Sequence, residues 1–183
     1  KMTSSSGYYP YLDLVQTYSL SDLRYVPRKN ISPYPEDTVM GWLSSQQNEK
    51  KFSIFIYLLR TAKMDMIAAQ PQYQSTLFAC PDYILRQRYG EDFFMNLERG
   101  AMVKLINIHT LPRVTHMKSL YAQNVSILET RDTDSTLTIT NTGDQILLNG
   151  AGNNGDCKLI SGEFEQRNGS VYVIDDLLIP ENF

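Results

Sequence analysis

Histidine and cysteine are scarce in this chain of 183 residues, two of each, and that scarcity closes off several chemistries at once. Cys80 and Cys157 are too few for a disulfide-rich scaffold and cannot alone build a structural zinc centre, while their pairing state stays open. His109 and His116 have no cysteine or carboxylate at zinc-like spacing along the chain, so no metal or cofactor is expected. Excess positive charge is also missing. With 17 basic against 20 acidic side chains and a net charge of −3, there is no broad field to attract a phosphate backbone, which excludes nucleic acid as an expected partner. Long apolar runs are absent too: the longest, residues 52–59, is interrupted by Ser53 and falls far short of the roughly 20 residues a membrane-spanning helix needs.

What is present is a globular composition, 42% hydrophobic and 11% aromatic, with a sharp change near residue 36. Half of the 12 tyrosines precede it, alongside Pro10, Pro27, Pro33 and Pro35. Proline at that density prevents a long helix, so residues 1–36 read as an extended arm. Its tyrosines, Tyr8, Tyr9 and Tyr11 among them, either pack on residues 37–183 or meet an outside partner. The chain begins at Lys1 with no signal-peptide succession and so reads as a processed product or an excised segment.

Beyond the arm the period is helical. Glu36, Asp37 and Thr38 supply a cap-capable start for Val39, Trp42 and Leu43, and the apolar series Phe52, Phe55, Ile56, Leu59, Ala62, Met66 and Ile67 predicts one helix ending before Pro71. Residues 75–79 predict a short buried strand, and Pro81-Asp82 opens a helix that Asp82 is placed to cap. A further helix over residues 92–97 is expected to stop at Gly100, before an apolar run over 102–108. After Pro112 come short β-type runs at 125–129, 136–140, 145–148, 158–164 and 171–174, separated by Asn-Gly and similar turns of the kind that join antiparallel strands. Helices first and strands second predict an α+β fold with a mostly antiparallel sheet.

Three segments then carry a resemblance. Residues 168–180 read Asn-Gly-Ser-Val-Tyr-Val-Ile-Asp-Asp-Leu-Leu-Ile-Pro, residues 75–82 read Ser-Thr-Leu-Phe-Ala-Cys-Pro-Asp, and an apolar strand over 105–108 ends in His109 before Leu111-Pro112. Taken in chain order they resemble the conserved blocks of fasciclin-type adhesion domains across residues 37–180. The resemblance implies a fasciclin-like fold, with N-terminal helices packed on a wedge-shaped, mostly antiparallel sandwich. It also assigns motif roles to Thr76, Phe78, Ala79, Asp82, His109, Leu111, Pro112, Asn168, Gly169, Val171, Val173, Ile174, Asp175 and Pro180. Physically these are scaffold residues: Asn168-Gly169 makes a turn, the valines fill a core, and Asp175 can bond neighbouring backbone or His109. A Tyr-His pair linked to integrin binding in several animal members is not carried over, because Ile108 stands in place of that tyrosine.

Catalysis finds no foothold. No Gly-x-Ser-x-Gly occurs, Cys80 with His109 is the one thiol and imidazole pair on adjacent motif segments, and Gly150, Gly152 and Gly155 lie between strands rather than before a helix, as a phosphate loop would. Asn30, Asn124 and Asn168 each head an Asn-x-Ser sequon that permits glycosylation in a secretory route. The resemblance thus implies a non-enzymatic extracellular or surface module that contacts protein or glycan, with a periplasmic, outer-membrane-anchored or virion-associated setting included. The alternative is a structural subunit of a virion or bacterial envelope assembly that uses the N-terminal arm.

Overall fold

A computed structural model describes residues 32–183, so Tyr8, Tyr9, Tyr11 and Asn30 lie outside the described residues. The helical half contains α1 (Val39–Leu43), α2 (Ser53–Thr61), α3 (Asp65–Ala68), α4 (Asp82–Tyr89), α5 (Glu91–Met95) and α6 (Arg99–Ile108), with strand β1 (Ser75–Ala79) set among them. Then follow β2 (Thr110–Leu111), α7 (Met117–Tyr121), β3 (Val125–Glu129), β4 (Thr136–Asn141), β5 (Ile146–Gly150), β6 (Cys157–Gln166) and β7 (Gly169–Ile174). The strands form one seven-stranded sheet in the order β2-β1-β7-β6-β5-β4-β3. Among the described strands only β1 and β7 run parallel, so the architecture is the expected α+β with a mostly antiparallel sheet.

Several local expectations are corrected. The predicted helix over 52–67 is two: Lys63 takes a left-handed φ of 58°, and Met64 N–H turns back to Leu59 O at 2.8 Å, which ends α2 before α3 begins. Gly100 stops nothing. It is the second residue of α6, which runs through the apolar stretch that the motif comparison had made a strand. Asp82 begins its own helix, but its buried carboxylate caps a different one: it accepts from Ser53 N and Ile54 N at 3.0 Å each and from the Ser53 hydroxyl, fixing the start of α2.

The core lies between α2 and α6 on one side and the central strands on the other, with Phe55, Leu58, Leu59, Leu105, Ile106 and Phe78 all fully buried. Every residue of β1 and β7 is buried, as expected of central strands covered on both faces. Gly169 permits their close approach, since a Cβ there would stand 1.8 Å from Ser75 O. On β6, Ser161 pairs with Val173 and Phe164 with Val171, three steps against two. An earlier shift, from Leu159 opposite Ile174 to Ser161 opposite Val173, adds another extra residue, so each flips the alternation and the two together restore it. Phe164 turns towards Trp42, with ring centroids 4.7 Å apart, while Glu163 and Glu165 take the opposite face, where Glu165 pairs with Ser170. Gly162 sits at the bulge with φ 149°, and a Cβ on it would meet the Tyr172 ring at 2.4 Å.

Candidate functional site

The motif residues come together as a lock between the two halves of the chain. Asn168 is fully buried; its Oδ1 accepts from Val39 N at 2.8 Å and its Nδ2 donates to Ala68 O and Gln70 O at 2.9 and 3.0 Å. The atom that would carry a glycan is therefore spent on two carbonyls inside the core, so this position is corrected from sequon to structural clamp. Asn124 is exposed. The Thr76 hydroxyl donates to Arg113 O and accepts from Thr115 N, tying β1 to the segment after β2, where Leu111 is buried and Pro112 exposed. Phe78, Ala79, Val171, Val173, Ile174 and Pro180 are buried apolar filling.

Asp175 and His109 do not pair. Asp175 Oδ1, just past the end of β7, accepts from Lys158 N of β6 at 2.6 Å, whereas His109 Nδ1 meets Leu105 O at 2.6 Å and Nε2 accepts from Leu178 N at 3.0 Å. The imidazole is thus a neutral tautomer, protonated on Nδ1, that ties the C-terminal end of α6 to the segment after β7. Burial drives its pKa down to about 4, against smaller upward contributions from the Leu105 carbonyl and the charge of Asp176.

This arrangement suits structure rather than chemistry. Cys80 and Cys157 are free and buried, burial pushes the Cys80 thiol far up and the Cys157 thiol up to about 12, and a buried protonated thiol is a poor nucleophile. His109 has both nitrogens committed to backbone.

The surface offers more. β3 is an outer strand of the sheet; its five residues pair in unbroken register with β4 on one side, and no described strand lies on the other. Of the devices that usually blunt an edge it lacks proline, lysine and a bulge, and its one charge is Glu129 at its last position. Its inward residues Ser126 and Leu128 oppose Ile139 and Leu137 of the core, which turns Val125 and Ile127 outward at 57% and 69% exposure. Thr138 and Thr140, paired with Ile127 and Val125, continue this face, which carries a charge at one end where Glu129 pairs with Thr136. Behind β3 lies a cavity of about 210 Å³ lined by Arg113, Thr115, Ser119, Leu120, Ser126 and Leu128, among other residues. Thr115 Oγ1 is buried with no hydrogen-bond partner among the described residues.

One group of side chains is able to hold a cation. His116, before α7, stands with Nδ1 2.7 Å from Glu163 Oε1 and 3.7 Å from Glu165 Oε1, and the three ligand atoms lie within 4.8 Å of one another. Sequence spacing missed this cluster because the carboxylates belong to β6, beyond three intervening strands. Partial burial works to raise the Glu163 carboxyl, but the Met117 N–H at 2.7 Å and His116 outweigh it and hold the group below the ordinary glutamate range.

The family model for the fasciclin domain matches residues 50–180, most of the chain. Nineteen chains of solved structures also match, among them a domain pair from the insect cell adhesion molecule fasciclin I, with a TM-score of 0.64 and 20% sequence identity. That alignment covers 80% of this chain and 52% of the insect chain, so this chain spans about half the length of that relative. No curated protein matches the sequence.

Proposed function

Because this chain belongs to the fasciclin domain family, a domain type found in adhesion molecules, we propose that it is a non-enzymatic module that binds protein at a cell or particle surface, and that the β3 edge makes the contact. The observation that carries this reading is the open edge of β3, free of proline, lysine and bulges, with Val125 and Ile127 turned to solvent. An edge of this kind has free N–H and C=O groups on its outer side and is complementary to an extended strand of a partner protein, whose backbone supplies affinity while alternate apolar side chains meet the two exposed residues. The buried, pKa-raised cysteines and the doubly bonded His109 support the non-enzymatic part. Among the described residues no helix is long and apolar enough to cross a membrane, so the setting we propose, outside the cell or at its surface, rests on the domain type.

The test is substitution of Ile127 by Lys in the full chain. At 69% exposure the residue contributes little to the core, so folding should be retained, while a lysine on an edge strand disfavours strand addition. Cross-linking capture from surface extracts of the source, read by mass spectrometry, should recover a partner with the parent chain and lose it with I127K. If I127K retained the partner while a triple Tyr8, Tyr9 and Tyr11 to Ser variant lost it, the arm-borne assembly role would replace the edge-strand reading.

A further inference from the structure

We propose that His116, Glu163 and Glu165 form a binding site for a divalent transition cation of the Zn²⁺ type. The ligand chemistry is the first reason. One imidazole nitrogen with two carboxylate oxygens is a donor set that Zn²⁺ and its neighbours accept, whereas Ca²⁺ and Mg²⁺ take oxygen alone. The spacing is the second. Around a tetrahedral ion with bonds of about 2.0–2.1 Å, ligand atoms stand about 3.4 Å apart, and the distances from His116 Nδ1, 2.7 Å to Glu163 and 3.7 Å to Glu165, bracket that value.

The supporting structure is the third. Glu163 is anchored: Oε2 accepts from Met117 N at 2.7 Å and Oε1 lies 3.3 Å from the Ser170 hydroxyl, so one ligand is held by a neighbouring strand and a helix start, as outer-shell bonds hold ligands in metal sites. Glu165, 72% exposed on its side chain, has only His116 as an ionic partner among the described residues and is free to close on an ion. The alternation of β6 sets both carboxylates on the Ser170 face, opposite Phe164. Charge is the fourth reason: two carboxylates stand beside one imidazole, and a dication bound there would balance their negative charge. Three protein ligands leave at least one coordination position open to water or to a group brought by another molecule.

The chain is well suited to a clean test, because both histidines and both cysteines fall among the described residues and the other three, His109, Cys80 and Cys157, are buried. Isothermal titration of the full chain with ZnCl₂ in a non-coordinating buffer should show one equivalent bound, with no heat from CaCl₂ or MgCl₂. Glu165→Gln removes a ligand that makes no hydrogen bond the fold depends on; it should weaken Zn²⁺ binding by at least the roughly 10- to 100-fold that even an outer-shell partner is worth, and His116→Gln should weaken it further. Circular dichroism of both variants should match the parent. Saturable binding of one Zn²⁺ lost in both variants supports the site. An absence of binding, an affinity unchanged in either variant, or an equal response to Ca²⁺ would each overturn it and leave His116 as a plain ion-pair partner.

Discussion

Acidification should weaken the fold through His109, and the size of the effect follows from its two bonds. Protonating the buried ring would place a proton on Nε2, directly opposite the Leu178 N–H that Nε2 now accepts, and would put a charge among Phe55 and its apolar neighbours, whose ring centroid lies 5.1 Å away. The folded state therefore refuses a proton that the unfolded chain accepts near pH 6.5, until the pH approaches about 4. Because the folded value lies below the unfolded one, the stabilisation is complete above pH 6.5 and drains away as pH falls towards 4. That gap is worth about 2 kcal/mol of lost stability by pH 5 and about 3 kcal/mol by pH 4. Urea unfolding followed by the fluorescence of Trp42, the single tryptophan, at pH 7, 5 and 4 measures it. His109→Gln keeps an amide donor and acceptor but does not titrate. It should cost stability at pH 7, yet the gap between parent and variant should shrink by about 2–3 kcal/mol on acidification, since His116 and every carboxylate are common to both. Parallel curves at all three pH values would refute the neutral, doubly bonded role of His109.

Other outcomes follow from the same structure. Asn168→Ala orphans Val39 N and Ala68 O and takes one of two donors from Gln70 O, which keeps the Tyr73 N–H, and should cost about 2–4 kcal/mol in urea unfolding; expressed through a glycosylating secretory route, the parent chain should carry no glycan on Asn168 by peptide mass spectrometry. Asp82→Ala removes three bonds from the start of α2 and should cost about 2–3 kcal/mol, with Asp82→Asn recovering part of it through Oδ1. Gly169→Ala sets a methyl 1.8 Å from Ser75 O and should cost about 3 kcal/mol or more by forcing β1 away from β7; thermal melting at near-parent stability would contradict that close approach.

Much of this architecture is readable along the chain, and the exceptions have physical causes. β1 and β3 match their sequence ranges because each is a short apolar or alternating run bounded by turn or breaker residues. The run over 102–108 misleads because a short apolar stretch has no period that separates a buried helix from a buried strand; α6 begins three residues earlier, and its length decides the matter. Asp82 is placed in sequence to cap the helix after Pro81, but caps act through space, and the helix it caps starts 29 residues earlier, at Ser53. The same holds for His109, whose partner is a backbone amide at Leu178 rather than the carboxylate of Asp175. The β3 strand itself was legible, but its position at the sheet edge was not, since edge status is a property of strand order. The His116 cluster lay furthest from view: two carboxylates 47 and 49 residues distant reach it only through the pairing of β6 with β7 across the folded sheet.

Hydrogen exchange on the β3 backbone, with and without the partner captured by the full chain, tests the proposed binding role most directly. Strong added protection confined to residues 125–129 and the adjoining edge, abolished in I127K, is the expected result. Protection elsewhere on the domain, with β3 exchanging at its free rate in the complex, would contradict the edge-strand contact.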